Sequence, residues 1–170
     1  VTAGKQLPAA TFTTGRGERV TVADLKGEPA VINFWATWCA PCREEIPILQ
    51  EAHAANPNVQ FLAVTDELAT TVRPFADQLK MTLPVWYDPG GKAGKAYGIQ
   101  SIPQTFFLDG EGTIVARHVG ALSAEQLANY LTTLKDGERD RIPTPLPSPD
   151  EGEDHVGAAP RQGAQRSAGL

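Results

Sequence analysis

The chain has 170 residues, 41% hydrophobic and 21% charged, with a net charge of −5. That is enough apolar material for one ordinary core without a disulfide or metal staple. With no basic run and no aromatic–basic interleaving, nucleic acid is excluded as an expected partner, and no apolar stretch reaches the ~18–20 residues that span a bilayer. The first residue is Val1 rather than Met, which points to a processed or trimmed protein, with room upstream for a signal peptide or membrane anchor.

Thr11 to Val22 (TFTTGRGERVTV) predicts a β-hairpin turned at Gly15 and Gly17. Ala30 to Trp35 (AVINFW) is a short apolar run of the kind buried on both faces of a sheet. From Cys39 to about Ala55 the spacing predicts a helix, with Ile46, Leu49 and Ala52 or His53 on one stripe, Pro47 inside it, and Asn56-Pro57 ending it. Val59 to Thr65 predicts a strand, Leu68 to Leu79 a helix and Leu83 to Tyr87 a short strand. Lys92 to Tyr97 predicts a short helix between glycines. Thr105 to Leu108 and Thr113 to Val119 predict a hairpin across Asp109-Gly110-Glu111-Gly112. Ser123 to Leu134 predicts the last helix, opened by a capping box of Ser123 and Gln126. Strands alternating with helices, then a hairpin and a closing helix, imply an α/β layering with a mixed sheet.

The composition shifts at Lys135. Residues 135–170 hold no aromatic residue, and ten of the 36 are Pro or Gly. Such a segment buries too little apolar surface to offset its ordering entropy. The expected organisation is therefore a folded domain over 1–134 and a disordered tail over 135–170.

Both cysteines of the chain lie in FWATWCAPCR, as Cys39 and Cys42. A loop this short adds little stability as a cross-link. Zinc wants four ligands, and His53, His118 and His155 do not stand at ligand spacing. A C-x-x-C between a buried strand and a helix points to redox chemistry instead. The helix N-terminus offers unpaired N–H groups and partial positive charge to a thiolate. Cys39 would be the nucleophile there. Cys42, one turn on, could resolve a mixed disulfide. Pro41 fits a first turn, where its missing N–H costs nothing.

Three stretches carry a family resemblance: Phe12 to Gly27 (F-x-x-x-x-G-x-x-V-x-V-x-D-L-K-G), NFWATWCAPCREEIP and YGIQSIPQTFFLDGEG. Over residues 7–134 the chain resembles the thioredoxin superfamily, in the TlpA/ResA/CcmG branch of extracytoplasmic thiol–disulfide oxidoreductases. The resemblance implies a thioredoxin-like fold: a central mixed sheet flanked by helices, with an N-terminal β-hairpin and a central insertion at 66–96. It implies that Cys39 is an exposed nucleophile and Cys42 the buried resolving cysteine. Trp38 corresponds to the aromatic that shields the pair, and Ala40 and Pro41 lie between the cysteines. Pro103 corresponds to a cis-proline that presents backbone to the substrate, with Ile102 lining the same groove. Glu67 corresponds to a buried acid near the cysteines, able to carry a proton to or from the leaving thiol. Asn33 replaces the buried Asp of thioredoxin, and Gln104 stands where some CcmG-like members carry Glu.

The function implied is reduction of protein disulfides outside the cytoplasm, with apocytochrome c as the expected substrate in cytochrome c maturation. A membrane thiol transporter of the DsbD/CcdA type would be the reductant, the chain a monomer, and no cofactor needed beyond the cysteine pair. Two other classes stay open. A thiol peroxidase of the peroxiredoxin kind would carry Thr three residues before the attacking Cys, where this chain has Ala36. A Sco-like copper chaperone would use a longer C-x-x-x-C spacing.

Overall fold

The structure is a computed structural model and describes residues 2–140. Among them, seven strands form one mixed sheet in the order β2-β1-β5-β4-β3-β6-β7. They are β1 (Thr11–Thr14), β2 (Arg19–Thr21), β3 (Ala30–Phe34), β4 (Gln60–Thr65), β5 (Val85–Tyr87), β6 (Gln104–Leu108) and β7 (Ile114–Val119). The helices are α1 (Ala40–Ala55), α2 (Ala69–Gln78), α3 (Lys92–Ala96) and α4 (Ala124–Asp140). A 3₁₀ turn at Val22–Leu25, which the sequence pattern does not announce, buries Leu25.

The apolar run AVINF becomes β3, buried at every position. It pairs parallel with β4 and antiparallel with β6, so it lies in the interior of the sheet. Alternation then sorts its side chains. Ala30, Ile32 and Phe34 join a cluster with Phe12, Trp86, Tyr97 and Phe106 on the α3 side. Val31 faces the other way, among Leu49, Phe107, Leu127 and Leu131 of α1, β6 and α4. Phe34, Tyr97 and Phe106 meet edge to face, with centroids 5.9–6.2 Å apart, a geometry the ring quadrupoles favour. The two layers hold β3 rigidly, and the segment leaving its C-terminal end carries the cysteines.

The N-terminal hairpin forms as expected, with Thr11 opposite Thr21. It is also part of the main sheet, because β1 pairs antiparallel with β5. The insertion supplies α2, β5 and α3. The capping box opens α4 as predicted: Ser123 N–H donates to Gln126 Oε1 at 3.0 Å, and Gln126 N–H to Ser123 Oγ at 3.1 Å. One expected boundary is corrected. α4 does not stop at Leu134 but runs to Asp140, so the folded unit extends past the predicted start of the tail at Lys135. Two tertiary bonds hold the extra turns: Lys135 Nζ donates to Asn56 Oδ1, and Gly110 N–H donates to Glu138 Oε1 at 2.8 Å. The remainder of the predicted tail lies outside the described residues.

Candidate active site

Cys39 is the N-cap of α1, in extended conformation, and its carbonyl accepts the first helical bond from Arg43 N–H at 3.1 Å. It is joined to Cys42 in a disulfide, with the two Cα atoms 5.3 Å apart. Cys42 N–H donates to the Cys39 sulfur at 3.4 Å. When the pair is reduced, this N–H and the helix end stand ready for a Cys39 thiolate. Ala40 and Pro41 occupy the exposed first turn, and α1 continues through Pro47. Cys39 is buried rather than exposed as the resemblance implies, at 5% exposure against 1% for Cys42.

The Ile102–Pro103 bond is cis. The Cys39 sulfur lies 3.9 Å from the Ile102 carbonyl oxygen, so this segment borders the disulfide. Trp38 is 74% exposed beside it, whereas Trp35 and Trp86 are core residues. A cavity of about 510 Å³ opens next to the pair, lined by Trp38, Ile102, Ile99, Phe34, Val64 and Asp66 among others.

Glu67 falls just before α2, whose first turn contains no acid. Its carboxylate instead accepts from Thr37 N–H at 2.8 Å and Thr37 Oγ1 at 2.6 Å, and from Thr65 Oγ1 at 2.9 Å. It therefore fastens β4 to the loop that enters Cys39. Burial pushes the nearby Tyr87 phenol up, opposed by the Arg73 charge and reinforced by that of Glu67.

Sequence reasoning missed Glu45. It is 1% exposed and sits on the buried stripe of α1 with Cys42, Ile46 and Leu49. Its spacing of three from Cys42 was the available signal, since residues three apart share a helix face. Asn33 Nδ2 donates to Glu45 Oε1 at 2.8 Å, and Leu122 N–H to Oε2 at 3.1 Å. Burial raises the carboxyl from 4.5 to about 7, although the bonds from Leu122, Thr105 and Asn33 pull the other way. Asn33 thus does not leave this region without an acid. It holds one that titrates near neutral pH.

The histidines are engaged elsewhere. His53 packs at a tilt against Phe61, and the ring nitrogens of His118 meet the Tyr130 hydroxyl at 3.0 Å and the Ala121 carbonyl at 3.2 Å. His155 lies outside the described residues. Among those residues no helix is long and apolar enough to cross a membrane.

Comparison with known proteins agrees with this geometry. Residues 3–117 match the AhpC/TSA family. The thiol-disulfide oxidoreductase ResA of Bacillus thuringiensis (strain Al Hakam) is 34% identical over 131 residues, covering 75% of this chain and 76% of ResA. The thioredoxin-like protein YneN of Bacillus subtilis (strain 168) is 35% identical over 133 residues, covering 75% of this chain and 78% of its own length. The crystal structure of StoA from Bacillus subtilis superimposes with a TM-score of 0.63 at 30% identity, over 74% of this chain and 97% of StoA. The chain belongs to the AhpC/TSA family and is a thiol–disulfide oxidoreductase of the ResA-like, thioredoxin-fold kind.

Proposed function

We propose that the chain reduces disulfides in polypeptides outside the cytoplasm, with apocytochrome c in cytochrome c maturation as its substrate. The observation that carries the reductase reading is the Cys39 sulfur at the head of α1, bonded to Cys42 and 3.9 Å from the Ile102 carbonyl. The extracytoplasmic setting and the cytochrome rest on the resemblance in the sequence motifs.

In the reduced protein, the Cys39 thiolate attacks one sulfur of the substrate disulfide. A Cys39–substrate disulfide forms and the other substrate sulfur leaves as a thiolate. Cys42 then attacks the Cys39 sulfur, forming the Cys39–Cys42 disulfide and releasing the second substrate thiolate. Two electrons pass to the substrate, and the chain ends in the oxidised form described above. Glu45, one helical turn beyond Cys42, takes the Cys42 proton as that thiol becomes a nucleophile. The family resemblance gives this task to Glu67. The bonds of Glu67 to Thr37 and Thr65 favour a positioning role for it instead. Trp38, Ile102 and Pro103 form the edge along which the substrate chain lies, beside exposed Ala40 and Pro41. A membrane thiol transporter of the DsbD/CcdA type returns the pair to the dithiol, with the chain acting as a monomer and without another cofactor.

Trapping in the native host tests the assignment. With Cys42→Ala the mixed disulfide has no internal route to resolution, and apocytochrome c joined through Cys39 is the expected capture. Capture only of proteins without haem-binding cysteines would reject the cytochrome substrate. Peroxide consumption at background rate in both wild type and Cys42→Ala is expected, and turnover of peroxide would favour the peroxidase class.

A further inference from the structure

The chain from Gly98 to Pro103 carries Ile102 and Pro103 to the disulfide, yet it lies between α3 and β6 with no regular structure of its own. Two side chains hold it. Arg117, on β7, stands opposite Phe106 in the β6–β7 ladder. Its guanidinium carbon is 5.2 Å from the Phe106 ring centroid. From there Nε donates to Gln104 Oε1 at 3.0 Å, and Nη2 donates to Gln104 Oε1 at 2.6 Å and to the Gly98 carbonyl at 3.0 Å. Gln104, only 2% exposed, turns its amide back and donates from Nε2 to the Ser101 carbonyl at 2.8 Å.

Arg117 therefore ties the start of the segment to Gln104, and Gln104 in turn ties its middle at Ser101. A guanidinium has several donors in a fixed fork, so it can bridge Gly98 and Gln104 together; an ammonium is a point charge on a flexible stem. The tied residues Ile99, Gln100, Ser101 and Ile102 form one wall of the cavity beside Cys39.

We propose that Arg117 and Gln104 are positioning residues, a clamp that sets the Ile99–Pro103 wall to receive a substrate polypeptide. This rests on the reading that the chain reduces polypeptide disulfides. The clamp acts on the docking of a long substrate and not on the chemistry of the sulfurs. Its loss raises KM for a polypeptide and spares a small disulfide that touches only Cys39.

The test compares wild type, Arg117→Lys and Gln104→Glu on insulin and on a small aromatic disulfide. The first substitution keeps the charge and loses the fork; the second keeps an acceptor for Arg117 and loses the donor to Ser101. For both variants we expect KM for insulin to rise about tenfold at nearly unchanged kcat, with the small disulfide reduced within about twofold of the wild-type rate. In the same proteins, amide exchange at Ile99 and Gly120 should quicken. These N–H groups bond the Gly94 and Pro103 carbonyls at 2.8 and 2.9 Å, and exchange reports local opening. An unchanged insulin KM overturns the proposal, as does a parallel loss on both substrates that follows the melting temperature. Wild type inert toward insulin would instead reject the polypeptide-reductase reading. Amide exchange unchanged in Arg117→Lys would even then overturn the clamp.

Discussion

At the scale of single residues, the decisive feature is where a proton can reside on an almost fully buried side chain. Glu45 is fixed by Asn33 and Leu122 and titrates near 7 because burial disfavours its charged form. The folded protein therefore holds this proton more tightly than the unfolded chain does. The group's contribution to stability is full below pH 4.5 and is lost as the pH rises toward 7, an effect on the order of 3 kcal/mol at about 1.4 kcal/mol per pKa unit. Glu45→Gln removes that titration. Its unfolding free energy should stay flat across the interval where that of wild type declines, and its resolution of a Cys39 mixed disulfide should slow about tenfold. Denaturant melts at several pH values and single-turnover release of substrate thiol check the two effects. Glu67 makes a different prediction. Glu67→Gln gives up a charge-assisted bond to Thr37 and should cost about 1–2 kcal/mol, with the loop before Cys39 loosened and attack on the substrate slowed. Unchanged melting and unchanged attack would show that Glu67 positions nothing.

At the scale of elements, α1 and α4 show what local sequence reveals and what it does not. The head of α1 was legible because its signals are local: an apolar strand, a Cys pair at one-turn spacing, and Pro41 in the first turn. The capping box of α4 was legible for the same reason. Its far end was not. Lys135-Asp136-Gly137-Glu138 is charged, contains a helix-weakening glycine, and looks like the start of a tail. The partners that hold it, Asn56 and Gly110, are distant in sequence. Glu45 is hard to read from sequence because a charged residue beside Arg43 and Glu44 suggests a solvent face, although its position matches the buried stripe. The pairing of β1 with β5 joins segments some 70 residues apart and has no local mark. A truncation reads out the α4 result. A chain ending after Asp140 keeps both tertiary bonds, whereas one ending after Leu134 loses them. Denaturant melts should find the shorter chain less stable by about 1–3 kcal/mol. Equal stability would show that the added turns contribute nothing.

At the scale of the whole molecule, a rigid sheet presents one sulfur. β3 is clamped between two apolar layers, its C-terminal end leads into Cys39, and β6 begins beside Pro103 on the other side of the disulfide. The strand pairing of β3 with β6, Phe34 opposite Gln104, brings the two halves of the site together across about 70 residues of chain. Under the proposed function this arrangement gives the cysteines unequal roles: Cys39 lies at the helix end beside the Ile102 carbonyl, and Cys42, one turn on, is more deeply buried. The most direct test of that inequality uses purified Cys39→Ala and Cys42→Ala proteins, each mixed with a disulfide-bonded polypeptide and examined by mass spectrometry. Unequal roles require a lasting mixed disulfide on Cys39 in the Cys42→Ala protein and little or none on Cys42 in the Cys39→Ala protein. Rapid adduct formation on Cys42, with Cys39 left free in the other variant, would contradict them.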